Sequence, residues 1–159
     1  IAARAQGSDL TVKVDLFGYF AAGCGARFRA VSPRLVLSTI EGQRQAPASL
    51  PDLAALGPDT PLVLPIAGED FPVAPIGKVS AVALNVTVVP EHDEGGGLRI
   101  HPDGEDDTPG ETSAVAYPSG SRRPATQLVI VQVGPDGKVA IRNSTGVANV
   151  AVEYVGFFA

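Results

Sequence analysis

The sequence predicts an all-β fold: a β-sandwich or jelly-roll-like domain of roughly eight to ten strands, with an extra strand at the N-terminus. Apolar residues make up 45% of the 159 residues and charged residues 18%, so the chain can form a packed core. The 18 glycines and 14 prolines interrupt the chain too often for long helices. Short runs between them alternate apolar and polar residues, which is the period of a half-buried strand.

The first predicted strand lies near the N-terminus. Apolar side chains occupy every second position from 10 to 16, and polar side chains fall between them. Gly18 interrupts this alternation before an aromatic pair, and a Gly-rich hinge follows. We therefore expect an N-terminal strand within 1–22, a hinge at 23–26 and a β-sandwich domain at 27–159.

The remaining strands are predicted from β-branched runs that end at turn residues. They lie at 28–39, 62–66, 79–89, 98–101, 113–117, 127–133, 139–143 and 147–155. The run at 79–89 is the most continuously apolar, so we expect it in the centre of a sheet. Residues 134–137 read GPDG, which is typical of a tight turn, and Asn143 is expected to bond the backbone of the next turn.

The N-terminal strand repeats the end of the chain. Residues 10–21 read LTVKVDLFGYFA and residues 148–159 read ANVAVEYVGFFA, so an offset of 138 positions aligns Val12 with Val150. A period of this size is that of a whole domain, so the chain carries one complete domain and the last strand of another. We expect the C-terminal copy to complete the exposed edge of its own sheet, which leaves the N-terminal copy without a place.

Charge and composition exclude several functions. The net charge of −5 opposes binding to nucleic acid, and no stretch approaches the ~18 apolar residues of a membrane-spanning helix. The sequence has no methionine, even at position 1, which favours a processed product located outside the cell or at its surface. The single cysteine, Cys24, is expected to be either a small buried hydrophobe or an intermolecular thiol.

Three segments follow one another as a strand, a hairpin and a closing strand: AVALNVTV at 81–88, VQVGPDGKV at 131–139 and VAVEYVGFF at 150–158. Together they resemble a β-rich repeat of actinobacterial extracellular proteins. Such repeats open with P-T-R-L-L-D-T-R-x-G, which PRLVLSTIEG at 33–42 matches only loosely, with Ser38 in place of Asp and Ile40 in place of Arg. The resemblance implies a secreted or cell-surface β module and no known catalysis.

Two groups of side chains are candidate metal ligands. Asp103, Asp106 and Asp107 lie in an acidic loop whose carboxylates suit calcium, although the spacing is not that of an EF-hand and a solvated loop is the alternative. His92 and His101 flank a triple glycine and could converge on zinc, with two exposed loop positions as the alternative. Neither histidine belongs to a nucleophile motif, so we expect no enzyme activity and no cofactor.

The repeated strand leads to three functional hypotheses. In the first, the chain is a secreted structural subunit that assembles with itself into a filament or surface layer by adding its N-terminal strand to a neighbour. The assembly residues are then Leu10, Val12, Val14, Leu16, Tyr19 and Phe20.

In the second hypothesis, the chain is a carbohydrate- or cell-wall-binding module from a multi-repeat protein. The aromatic residues of both copies would then form a stacking platform, with core packing as the alternative: Tyr19, Phe20, Tyr154, Phe157 and Phe158. The third hypothesis places both strands in one monomeric sandwich.

Overall fold

The computed structural model describes residues 19, 21–23, 25–50, 53–58, 61–68, 79–104, 114–120 and 122–159. Eight strands form in these residues: β1 (Phe28–Ser38), β2 (Leu62–Pro65), β3 (Ala81–Pro90), β4 (Gly96–Pro102), β5 (Val115–Tyr117), β6 (Ala125–Gln132), β7 (Lys138–Asn143) and β8 (Ala148–Phe158). Each strand predicted after residue 27 has a counterpart. β8 continues beyond the predicted end at 155. A register shift against β3 changes the alternation of side chains there, so the sequence pattern ends early although the pairing with β3 goes on.

The strands form two four-stranded antiparallel sheets. The first sheet has the order β1-β8-β3-β6 and the second the order β2-β7-β4-β5. The predicted β-sandwich is therefore confirmed, and the described residues include no helix. It follows that no helix in this part of the chain is long and apolar enough to cross a membrane.

The core lies between the sheets and uses the alternation that the sequence predicted. In β3 the even-numbered side chains from Val82 to Val88 point inward and are fully buried. In β8 the inward side chains Val150, Val152 and Tyr154 are fully buried as well. The prediction that 79–89 contains a central strand is confirmed, since β3 pairs with β8 on one side and with β6 on the other.

β8 fills a position in its own sheet as expected, and this position is the interior one, so that without β8 the edges of β1 and β3 would both be exposed. The strand pairs with β3 on one side and with β1 on the other. β1 begins beside the C-terminal residue, where Arg27 and Ala159 exchange two main-chain hydrogen bonds of 2.8 and 3.1 Å. From there it runs antiparallel to β8. β1 therefore forms the edge of this sheet, and both sides of β8 are already paired with strands of its own domain.

β6 and β7 belong to different sheets, so the predicted hairpin at 131–139 is instead a tight turn that crosses between the layers. The turn itself forms as predicted: the Gly137 amide donates to the Gly134 carbonyl at 2.9 Å, and Gly137 has a φ of 75°. A β-carbon at Gly137 would lie against the Ala67 carbonyl oxygen, so glycine is needed for space as well as conformation.

Several predicted residues lie outside the described residues. They are Leu10, Val12, Val14, Leu16, Phe20, Cys24, Asp106 and Asp107. Of the predicted assembly residues only Tyr19 is described, and its side chain is 82% exposed.

Candidate functional site

The sandwich has four sheet edges, and the two edges of the second sheet are short. β2 has four residues and ends at Pro65, and β5 has three residues and is followed by Pro118. Short edge strands flanked by proline offer few consecutive main-chain groups to an incoming strand. These two edges are therefore poor sites for strand addition.

The free side of β1 is protected in three ways. Ser38 exchanges two main-chain hydrogen bonds with Gln45, of 2.8 and 3.0 Å, and the Gln45 side-chain amide donates to the Leu35 carbonyl at 2.7 Å. Pro33 in the middle of the strand has no N–H to donate. Two register shifts against β8 interrupt the strand further. Proline, irregular pairing and a covering loop are devices that block edge-to-edge association.

Within Ala125–Gln132 the free side of β6 has none of these devices, and Pro124 lies just before the strand. The sequence ATQLVIVQ contains no proline and no charge. All eight residues pair with β3 in one uninterrupted register, from Ala125 opposite Val88 to Gln132 opposite Ala81. A long, regular and uncharged edge of this kind is a template for another strand.

The main-chain groups at this edge can be assigned from the ladder. The Val133 amide donates to the Ser80 carbonyl at 3.1 Å, in the same register as the β3–β6 pairs. Because residues of an antiparallel strand alternate in the side toward which their N–H and C=O point, those of Leu128 and Ile130 point away from β3. No described residue outside the strand ladders bonds these groups.

The side chains of β6 divide between the core and the outer face. Val129 and Val131 are 5% and 6% exposed and face the core, whereas Leu128 and Ile130 are 57% and 38% exposed. Two apolar side chains therefore project beside the unpaired main-chain groups. Exposed apolar side chains next to an open edge make this edge the candidate site for association.

The apolar outer surface extends across the sheet from β6 to β1. Ile130 lies opposite Ala83, which in turn lies opposite Gly156 of β8. The ring of Phe28 covers Gly156, where an added β-carbon would lie 2.5 Å from the ring, and its centroid is 5.1 Å from that of Phe158. Small residues in the middle of the strip let the larger apolar groups at both ends lie close to the backbone.

The aromatic residues of β8 do not form the predicted stacking platform. Tyr154 is fully buried in the core, and burial raises the pKa of its hydroxyl to about 12. Phe157 packs against the core, and Phe158 packs against Phe28 on the outer face. Inward burial of Tyr154 follows from its position in the alternation of β8, and it removes this residue from any surface site.

The described residues contain no group of three or more potential metal ligands. His92 lies before β4 and His101 near its end, so the extended strand separates them and the predicted convergence on zinc does not occur. The ring nitrogens of His92 are also engaged, since Nδ1 accepts from the Glu94 amide at 3.2 Å and Nε2 contacts the Thr145 carbonyl at 3.0 Å. Asp103 lies in the turn after β4, and the calcium prediction for its two partners lies outside the described residues.

Asn143 anchors the turn between β7 and β8, as its residue type predicted. Its fully buried side-chain amide donates to the carbonyls of Leu56, Thr145 and Gly146 at 2.9–3.1 Å. Its side-chain oxygen accepts from the Tyr117 hydroxyl at 2.8 Å. Burial raises the pKa of Tyr117, and the hydrogen bond to Asn143 opposes this shift. The network has a structural role, because every polar atom of the Asn143 amide bonds the protein itself.

A scan against models of known protein families finds no match, and a search of curated proteins finds no significant relative either. The candidate site therefore depends on the geometry of the molecule: an open strand edge on a domain whose own last strand is already in place.

Proposed function

We propose that this protein is an extracellular structural subunit that assembles with itself by adding its N-terminal segment, residues 10–21, as a strand to a neighbouring subunit. The supporting observation is the interior position of β8. The N-terminal segment resembles in sequence a strand that the domain already contains, between β1 and β3. A strand-forming segment without a vacant place in its own domain is suited to pair with another chain.

The composition of the segment fits a half-buried strand. Its apolar side chains Leu10, Val12, Val14, Leu16 and Phe20 would leave water on pairing. At ~1.5–3 kcal/mol for each large apolar side chain, five of them contribute about 7–15 kcal/mol before the cost of ordering the segment and joining two molecules. A lasting contact between subunits is within this range.

The test compares two neighbouring substitutions in the full-length chain. Val12→Asp adds a charge to the apolar face of the segment, whereas Thr11→Asp adds the same charge to its polar face. We expect Val12→Asp to remain a folded monomer and Thr11→Asp to assemble like the wild type. Sedimentation velocity and negative-stain microscopy measure assembly, and circular dichroism monitors the fold.

The proposal fails if wild-type protein stays monomeric at high concentration, or if both variants assemble equally well. Removal of residues 1–22 provides a second arm. It should abolish assembly and leave the sandwich folded, because the core residues that the structure describes all lie at residue 31 or later. Loss of folding on truncation would instead support the hypothesis that both strands belong to one monomeric sandwich.

A carbohydrate-binding module is the second candidate, and the exposure of Tyr19 favours it. With 82% of its surface exposed, this ring is free to stack on a sugar. The buried Tyr154 contributes nothing to such a site. A glycan array probed with wild-type protein and with Tyr19→Ala tests this candidate: binding that Tyr19→Ala abolishes would support it.

A further inference from the structure

We propose that the acceptor of the N-terminal segment is the free edge of β6 in a second copy of the chain, and that the segment runs antiparallel to β6. This inference depends on the proposed function, because it names the partner surface for the same strand. It is carried by three observations: the properties of the four sheet edges, the occupied interior position of β8, and the length of chain that connects the segment to β1.

The position of β8, between β1 and β3, is not the main acceptor, because two segments compete for it in every subunit. Each subunit has one such place and two segments that could fill it, so exchange between subunits always leaves one segment over. Exchange therefore gives no net gain in buried surface. An acceptor that stabilises assembly must be an edge that is free when β8 is in place.

The edge of β1 is the nearest alternative, because the N-terminal segment precedes β1 directly and a hairpin would bring the two together. Pairing along β1 meets Pro33 halfway and the bonded Gln45 at Leu35 and Ser38. Only the first few residues of β1 remain open. The segment spans residues 10–21, so most of its main-chain groups would stay unpaired in such a hairpin.

The edge of β6 in the same subunit is out of reach for a strand that pairs antiparallel along the whole of β6. The starts of β1 and β3 and the ends of β8 and β6 lie at one end of the sheet, as their pairing shows. A strand antiparallel to β6 therefore ends at the opposite end of the sheet. From there to Phe28 the chain must cover about 23 Å along the strands and about 19 Å across four strand spacings, or roughly 30 Å.

The connection is too short for that distance. Eight Cα–Cα steps separate Phe20 from Phe28, and fully extended chain covers at most about 26–29 Å in eight steps. The connection is also not fully extended, because Gly23 and Gly25 have φ values of 78° and 80°. The same segment can reach β6 of another molecule without this restriction, so an antiparallel pairing along the whole of β6 has to be made between subunits.

The chemistry of the two partners is compatible in this arrangement. The apolar face of the segment would extend the core beside Val129 and Val131, and its polar face would point outward beside Leu128 and Ile130. β6 carries no charge that could repel the Lys13 or Asp15 side chains. Each subunit offers one segment and one edge, so the contact is head-to-tail and propagates into a filament unless it closes into a ring.

The first experiment places a charge on the edge in the full-length protein. Ile130→Lys adds a lysine to the β6 edge at a side chain that is 38% exposed, and Val147→Lys is the matched control at 41% exposure away from the edge. Lysine on an edge strand opposes strand addition. We expect Ile130→Lys to raise the concentration needed for assembly at least tenfold and Val147→Lys to leave it within about twofold of wild type.

The second experiment maps the pairing by disulfide cross-linking in a Cys24→Ser background. One pool carries Lys13→Cys or Asp15→Cys, the other carries Leu128→Cys or Ile130→Cys, and mixed pools are oxidised and run on non-reducing gels. Each chain then holds one cysteine, so a hetero-dimer arises only between subunits. If the ladder is antiparallel, moving the cysteine from position 13 to position 15 shifts the preferred cross-linking partner two residues toward the N-terminus of β6. If the ladder is parallel, the partner shifts two residues toward the C-terminus of β6.

The outcomes separate the two proposals. Assembly that Val12→Asp abolishes but Ile130→Lys leaves unchanged keeps the proposed function and overturns β6 as the acceptor. Cross-links that follow a parallel register overturn the antiparallel arrangement. Absence of assembly in the wild type overturns the proposed function and this inference together. Loss of assembly in Val12→Asp and in Ile130→Lys but not in Val147→Lys, with antiparallel cross-links, supports the inference.

Discussion

β1 and β6 are the two edges of the same sheet, but their free sides differ. β1 contains a proline, shifts register twice against β8 and is bonded along its far half by Gln45. β6 is regular over eight residues, has no proline or charge, and presents Leu128 and Ile130 to solvent. The fold thus protects one edge with several independent devices and leaves the other without any that the described residues show.

This difference indicates that the openness of β6 is specific to that edge. A chain that places proline, irregular pairing and a covering loop at one edge has the means to suppress edge-to-edge association. A charge at one of the outward positions of β6 would cost little stability, because these side chains are already in contact with water. The comparison therefore favours β6 as a surface with a partner, and it can be tested by weakening the attachment of each edge separately.

The largest effect is expected where β1 attaches to β8. Gly156→Ala places a β-carbon 2.5 Å from the Phe28 ring and 2.8 Å from the Arg29 carbonyl oxygen, and the backbone of β1 cannot move away without breaking the ladder. We expect the free energy of unfolding to fall by about 3 kcal/mol, as for an overpacked site. Thermal or urea unfolding followed by circular dichroism measures this change.

Gly57→Ala is the matched control, because a β-carbon at that position meets nothing within 4 Å. It should change the free energy of unfolding by no more than about 0.5 kcal/mol. Gly18 is the equivalent of Gly156 in the N-terminal segment, and it lies outside the described residues. Equal effects of Gly156→Ala and Gly57→Ala would contradict the close approach of β1 to β8.

A second test uses the buried tyrosine on the β1 side of the sheet. Tyr154 pairs with Arg34 of β1, and burial raises the pKa of Tyr154 to about 12. An unfolded tyrosine has a pKa near 10, so the unfolded chain gives up this proton first. The contribution of the buried Tyr154 hydroxyl to the free energy of unfolding is therefore fully present below about pH 10 and is lost as the pH rises toward 12.

Tyr154→Phe removes this contribution, so its stability should depend less on pH between 10 and 12 than that of the wild type. The slope of the free energy of unfolding with pH is the relevant measurement, since the substitution can also change stability at neutral pH. Tyr117, whose pKa is also raised by burial, should leave a smaller dependence in the variant. An unchanged slope would contradict the burial of the Tyr154 hydroxyl.

The sequence was sufficient to predict the strands that the structure describes. Alternation and turn residues placed the strands, because side chains on successive residues of a strand face opposite sides wherever the strand lies. The order of the strands within each sheet cannot be predicted from such local patterns. Whether β8 lies inside a sheet or at its edge depends on how β1 pairs with it, and that pairing joins residues that are 130 positions apart at Phe28 and Phe158. No local pattern carries this information.

The same distinction between local pattern and strand pairing applies to the candidate site. The N-terminal segment that we predict to be a strand is visible as a repeat in the sequence, but the open edge is not. The residues of β6 looked like any β-branched strand until the ladder showed which of its sides is unpaired. The protection of β1 by Gln45 was equally hidden, since a glutamine in a polar segment gives no sign that it bonds Leu35 and Ser38.

The smallest expected effect concerns the attachment of β6 to β3. The hydroxyls of Thr87 and Thr126 lie 2.8 Å apart across this pair, where Thr126 is exposed and Thr87 is half-buried. A cross-strand contact of this kind contributes about 0.2–1 kcal/mol, so a double-mutant cycle with Thr87→Val and Thr126→Val should give a coupling energy in that range. Valine keeps the branched shape that favours a strand, so the regular ladder should persist and Thr126→Val should still assemble. Assembly lost in Thr126→Val, with the fold intact, would show that the hydroxyl pair and not the open main-chain edge of β6 makes the acceptor.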